Sequence, residues 1–171
     1  MAEPTATRAL RVNALDLLRQ PGSERHVEVT ATGGELDVDH EALDGDVRVS
    51  VDLESTIEAI VVRGEVVAPW RRPCRRCLTE LSGEAVASVD ERYQVEVVDD
   101  DAFPIVDGQL DLVPMARQAA LLELDDERLC REACAGLCPV CGIDRNEASC
   151  DCDTTVRDDR WAALDGLVLD D

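Results

Sequence analysis

Lysine is missing from this chain of 171 residues. All 17 basic residues are arginine, set against 38 acids, for a formal net charge of −21. Affinity for nucleic acid comes mostly from cations that displace counterions from phosphate, so binding of bare RNA or DNA across the whole surface is disfavoured. A basic protein partner suits such a field better, although acidity also serves solubility alone. Aromatic residues are nearly as scarce. Trp70, Trp161, Tyr93 and Phe103 make up the full set, so a core has to be built from Val, Leu, Ile and Ala. No run approaches the roughly 20 apolar residues of a membrane span, and the opening MAEPTATRALRVNALDLL has neither the apolar run nor the cleavage site of a signal peptide. A cytoplasmic location is therefore expected. Histidine is limited to His26 and His40, which read as isolated surface or strand residues. Thr32-Gly33-Gly34 is too short for a phosphate loop and reads as a hairpin turn. Nothing assembles a nucleophile with a base and an orienting group, so the chain reads as a non-enzyme.

Cysteine, by contrast, is plentiful. Cys74 and Cys77 form one C-x-x-C pair, while Cys130, Cys134, Cys138, Cys141, Cys150 and Cys152 crowd the last third. In a reducing compartment, clustered cysteines are metal ligands or redox groups. Eight thiols are enough for two tetrahedral four-sulfur sites, so two Zn²⁺ per chain are expected. One partition puts Cys74, Cys77, Cys130 and Cys134 in a first site, tying the strands to the segment after a helix. It leaves Cys138, Cys141, Cys150 and Cys152 as a self-contained loop. A second joins the two C-x-x-C pairs as in a zinc ribbon, and a third holds one zinc with spare thiols. Zinc is preferred over iron because the loops look closed and structural. A redox pair normally sits at a helix N-terminus after a strand. Here Pro73 precedes Cys74 and no helical pattern follows, so a thiol redox protein is the weakest alternative. Arg71, Arg72, Arg75 and Arg76 surround the first pair. They balance the negative charge of a thiolate-bound ion, or else form a patch that grips RNA phosphates.

The rest of the chain reads as strands. Residues 1–26 are a tail and a short apolar segment, Asn13 to Leu18, stopped by Pro21-Gly22. Residues 27–124 form a β-rich core. Val27–Thr30, Glu35–Asp39 and Val47–Thr56 alternate with a period of two, Ile57–Ala68 continues with Gly64 allowing a bulge or bend, and Gly83–Val97 leaves the first knuckle. Val98–Asp101 is a loop. A helix over 111–124 starts at Asp111, tolerates Pro114 in its first turn, and places Leu112, Met115, Ala119 and Leu122 on one face. Residues 125–153 are polar and Cys-punctuated, with too few apolar residues to fold unless a metal organises them. Residues 154–171 contain a short amphipathic helix with Trp161 docking the tail. The fold class is α+β: an antiparallel sheet curling toward a barrel, one main helix and a Cys-rich metal-binding segment.

Several of these stretches resemble the YceD family of large ribosomal RNA subunit accumulation proteins. They are Cys74-Arg-Arg-Cys77-Leu78 before an acidic strand, the helix opened by Asp111-Leu-Val-Pro, and Cys134-Ala-Gly-Leu-Cys138-Pro-Val-Cys141-Gly followed by Asn146 and Ser149-Cys150-Asp-Cys152. Asp16 to Gly22 and Asp158-Asp-Arg-Trp161-Ala-Ala-Leu164 extend the likeness. The stretch Leu121 to Leu129 is more acidic than the family's, and Arg145 replaces a usual apolar residue. The resemblance implies a non-enzymatic role in synthesis, processing or stability of 23S ribosomal RNA. The acidic field points to a basic ribosomal protein or a large-subunit precursor as the partner. Direct RNA binding through the four arginines is the alternative.

Overall fold

A computed structural model describes residues 5–98, 100–154 and 160. It divides into two compact units, Met1–Pro73 with Glu80–Arg128, and Cys74–Thr79 with Leu129–Asp171. Among the described residues, every helix and strand belongs to the first: α1 (Thr5–Ala9), β1 (Arg11–Asn13), α2 (Leu15–Leu18), β2 (Glu24–Ala31), β3 (Val47–Ser55), β4 (Ile60–Pro73), β5 (Glu80–Gln94), β6 (Phe103–Val106), β7 (Gln109–Asp111) and α3 (Val113–Leu124). The strands form one curled sheet in the order β1-β7-β6-β5-β4-β3-β2. All pairs are antiparallel except β5 with β6. The fold is α+β, with the sheet mixed rather than purely antiparallel.

Alternation explains the central strands. Along β3, Val47, Val49, Val51 and Leu53 are fully buried while Arg48 and Asp52 face solvent. Each buried aliphatic side chain contributes about 2 kcal/mol. Opposite residues share a face, so Val49 lies beside Val66 and Leu53 beside Val62, building a continuous apolar surface. Helix α3 closes it with Met115, Ala116, Ala120 and Leu124, joined by Leu10, Leu110 and Leu112. Trp70 lies directly across from Gly83, where a methyl group would meet the indole at 3.0 Å. The Arg128 guanidinium sits 5.3 Å above the same ring.

Five expectations need correction. The tail expected before the apolar segment is ordered over its described residues, because Thr5–Ala9 is helical and Leu10 and Val12 enter the core, as does Leu17 of the apolar segment itself. Glu35–Asp39 is not a strand. Leu36 and Val38 are buried while Asp37 and Asp39 are exposed, so the alternation is met by burial, without a strand partner. Thr32-Gly33-Gly34 is not a hairpin turn but opens a 3₁₀ turn, in which Thr32 and Glu35 cap each other's backbone. Gly64 makes no bulge, since the registers of β4 with β3 and β5 run unbroken through it. Its φ of +152° and the close backbone of Val51, 2.7 Å from where a Cβ would stand, explain the glycine. Finally, α3 runs over Val113–Leu124 and buries Met115, Ala116, Ala120 and Leu124, leaving Leu122 at 74% exposure. The N-cap is Leu112 rather than Asp111, whose carboxylate one residue earlier accepts the Val113 N–H at 2.9 Å, and Pro114 lies in the first turn. The helix expected after residue 157 lies outside the described residues.

Candidate metal centre

Two turns with the same internal wiring begin the two cysteine groups. In Cys74-Arg-Arg-Cys77, the Leu78 N–H donates to the Cys74 carbonyl at 3.0 Å, and the Cys74 N–H donates to the Thr79 carbonyl at 2.8 Å. In Cys138-Pro-Val-Cys141, Gly142 and Ile143 play the same parts at 2.9 and 2.8 Å. The residue after each second cysteine is left-handed, Gly142 at φ +75° and Leu78 at φ +61°. Folding the chain back this way aims backbone N–H groups at the first sulfur of each turn.

The eight sulfurs fall into two sets. Those of Cys74, Cys77, Cys130 and Cys134 lie within 4.8 Å of one another, as do those of Cys138, Cys141, Cys150 and Cys152. This grouping is the first of the partitions weighed above and separates the two C-x-x-C pairs that a ribbon would join. The edge of a tetrahedron with Zn–S bonds of about 2.3 Å is about 3.8 Å. Cys74 and Cys134 sulfurs are 3.9 Å apart, Cys77 and Cys130 sulfurs 3.6 Å. These distances are far beyond a disulfide, and an all-thiol donor set suits a soft or borderline divalent ion. Both sets could hold a metal ion.

Proton affinities within each set are divided. The Cys77 N–H, aided by those of Arg76 and Cys130, holds the Cys74 thiol down at about 6 against burial. The Cys141 and Val140 N–H groups likewise hold Cys138 at about 6. Cys130 is pushed up to about 12, by its contact with the Cys134 sulfur first and then by burial. Cys152 is pushed up to about 12 by Cys141 and Cys150. Each set thus has a sulfur prepared as thiolate and a sulfur that keeps its proton because thiolates crowd it. A divalent cation at the centre would remove that conflict, and its binding would release protons.

Residues outside the ligand sets complete the first site. The Asn146 amide donates to the Cys134 sulfur at 3.4 Å, and its oxygen accepts from Arg131 at 2.7 Å and from the Ala135 N–H at 2.9 Å. Asp144 holds Asn146 in place through its side-chain and backbone N–H groups. The Thr79 hydroxyl lies 3.2 Å from the Cys77 sulfur. Gly136, at φ +72°, lets the backbone pass Arg76, whose carbonyl would be 2.9 Å from a Cβ there. Asn146, Asp144, Thr79 and Gly136 act through contacts that no spacing in the sequence encodes.

The four arginines do not act as one open patch. Arg71 pairs with Asp44 at 2.8 Å, which raises its proton affinity further. Arg72 donates to the carbonyls of Leu124 and Asp126, closing the end of α3. Arg76 donates to the carbonyls of Glu132 and Cys134. Arg75 is exposed on the first turn and has an interaction of its own. His26 and His40 stand outside both sets. His26 lies 2.8 Å from Asp52, and His40 lies 3.1 Å from Asp125 while accepting the Ala42 N–H.

The family model described as large ribosomal RNA subunit accumulation protein YceD matches residues 62–168. That span includes every cysteine. Uncharacterized proteins of Mycobacterium bovis and Mycobacterium tuberculosis are each 31% identical over 154 residues, covering 82% of this chain and 74% of theirs. A Mycobacterium leprae relative is 31% identical over 103 residues, 56% of this chain and 48% of its own. No solved structure matches.

Proposed function

This chain belongs to the YceD family of large ribosomal RNA subunit accumulation proteins, and from that premise we propose that it is a non-enzymatic factor supporting synthesis, processing or stability of 23S ribosomal RNA. It carries two structural zinc ions and works by contact with a basic ribosomal protein, shielding it from premature RNA contact.

One observation carries the zinc reading. Within residues 74–79 and 129–154, the buried hydrophobic residues are Cys74, Cys77, Cys134 and Cys138, with no buried aliphatic side chain among the described residues. Such a segment has no apolar core, and metal coordination can organise it instead. The direction of charge supports the protein partner. Arg71, Arg72 and Arg76 serve an ion pair and backbone carbonyls, while acids outnumber bases by 38 to 17. The field that remains is one a basic protein would enter and a phosphate backbone would not.

The test has two arms. Depletion of the protein is expected to lower the 23S ribosomal RNA level, and cross-linking with affinity capture from extract is expected to recover a basic large-subunit protein. Capture of RNA alone, with binding that falls steeply with salt and fails when Arg71, Arg72, Arg75 and Arg76 become Glu, would overturn the protein-partner reading. Metal analysis should return about two zinc per chain.

A further inference from the structure

Among the described residues, strand β5 has one long unpaired edge. On one side it pairs with β4 from Glu80 to Tyr93. On the other it meets β6 only at Tyr93 and Gln94. The direction of its backbone groups follows from β4. The Arg71 N–H donates to the Ala42 carbonyl, and the Pro69 carbonyl accepts the Asp44 N–H, so odd-numbered residues of β4 direct their backbone groups away from β5. Pro69 and Pro73, which have no N–H, fall in that same set. Antiparallel partners alternate between bonded and non-bonded pairs, and the register of β4 with β5 is unbroken. The partners of those odd residues, Ser82, Glu84, Val86, Ser88 and Asp90, therefore turn their N–H and C=O groups to the free edge. No bond to any of these backbone groups occurs among the described residues.

The edge is flanked by built surface. Between β5 and α3 lies a cleft of about 220 Å³, lined by Ala87, Val89, Glu91, Met115, Ala119 and Leu122 among others. Leu122 is 74% exposed and Val86 51%. At the end of β5 a second cavity of about 470 Å³ gathers Asp90, Glu91, Asp100 and Asp101, with Arg92 and Ala102. Burial, then the charges of Asp101 and Asp90, pushes the Glu91 carboxyl above its ordinary value, while Arg63 pairs with Asp90 at 3.4 Å.

From this juxtaposition we infer that the free edge of β5 beside α3 is a docking site for an extended segment of a basic protein, added to the sheet as a further strand. Its backbone pairs with Ser82, Glu84, Val86, Ser88 and Asp90. An apolar side chain rests against Ala119 and Leu122, and an arginine or lysine further along enters the Glu91–Asp101 cavity. Strand addition of this kind draws affinity from main-chain bonds and specificity from alternate side chains. A second copy is a poor occupant, because it would bring another −21 to an acidic rim. The inference rests on the proposed basic partner and gives that partner an address.

The test uses the purified zinc-loaded full chain and a synthetic peptide that carries Val and then Arg on one face of the strand, with Ser at the intervening positions. In the free protein, amide exchange is expected to alternate along β5: fast at Ser82, Glu84, Val86, Ser88 and Asp90, slow at Gly83, Ala85, Ala87 and Val89. Adding the peptide should slow the fast set. The same peptide N-methylated at alternate residues should fail, whatever any variant does. Val86→Pro removes one outward donor from an edge position, where proline is tolerated, and should weaken the peptide by about tenfold with zinc content unchanged. Glu91→Gln should weaken it with the backbone intact. Uniform protection of the free edge would overturn the inference, whether it depends on concentration, meaning a second copy, or not, meaning the chain's own C-terminal residues. So would binding indifferent to N-methylation, or protection of the same amides by a short single-stranded RNA. Peptide binding is read without ribosomes, so its failure leaves the 23S measurement standing. Unchanged 23S levels with intact peptide binding would instead sink the ribosomal reading alone.

Discussion

Leu78 and Gly142 occupy the same place in two turns with the same hydrogen bonds, yet only one of them is a glycine. At φ +61° the leucine side chain crowds its own backbone, at a cost of roughly 1–2 kcal/mol, and at 60% exposure it recovers little of that by burial. Leu78→Gly is expected to stabilise the metal-loaded protein by about 1 kcal/mol, read as a rise in thermal midpoint. A fall would mean that the leucine packs against something that offsets its strain. Tyr93 is a second position where a single side chain decides a bulk property. It is fully buried, stacks on Phe103 at 5.1 Å and donates to the Asp111 carbonyl at 3.1 Å. Burial first, then the charges of Asp111 and Glu91, raises its pKa far above the ordinary value. An acid whose pKa is raised by folding keeps its proton better in the folded state. Its stabilisation is complete below the unfolded pKa of about 10 and declines as pH rises beyond it. Because Tyr93 is the one tyrosine in the chain, tyrosinate absorbance reads it directly, and ionisation should coincide with alkaline unfolding. Tyr93→Phe should lose about 1 kcal/mol at neutral pH and remove this alkaline contribution. Tyrosinate appearing while the fold persists would show that the hydroxyl reaches solvent.

At the scale of elements, Gly64 is explained by the backbone packed against it and not by a bulge. Its register with Val51 and Val89 is intact, but a Cβ would collide with the Ser50 carbonyl and stand 2.7 Å from the Val51 Cα. Both obstacles are backbone, so relaxation is expensive. Gly64→Ala is expected to destabilise the protein by about 3 kcal/mol in urea unfolding, and a loss under 1 kcal/mol would show that β3 can retreat. The longer elements were legible because their chemistry is local and repeated. The period of two in Val47–Ser55 forces one buried face, and Asp111 with Pro114 marks a helix start. Short elements were not. Strands β1 and β7 have three residues each and exist because they pair with one another, Val12 beside Leu110. The face of α3 was misread because its apolar residues surround it. Geometry against β4 and β5 selects Ala116 and Ala120 over Leu122. The cysteine grouping was readable from spacing, whereas Asn146 at the Cys134 sulfur was not, since a hydrogen bond from a loop amide has no periodic signature.

On the whole-molecule scale the two units rest on different physics. The first has a continuous aliphatic core running from Leu10 to Leu124. The second buries cysteine where a domain would bury leucine, and its backbone bonds, such as Leu137 N–H to the Arg76 carbonyl at 2.9 Å, stand close to solvent. Chelation should therefore separate the units. With the metal removed, the thiols of Cys130 and Cys152 keep their protons, and no buried aliphatic side chain among the described residues holds residues 129–154 together. Amide exchange is expected to become fast over 74–79 and 129–154, and proteases to cut there first. The amides of β3 and β4 that lie between paired strands should stay protected. Restoring zinc should reverse both changes, and acid should mimic chelation as protons compete for the thiolates. A metal-free chain whose residues 129–154 stay rigid and uncut would refute coordination as the organiser of that unit, since no other source of burial is available to it among the described residues.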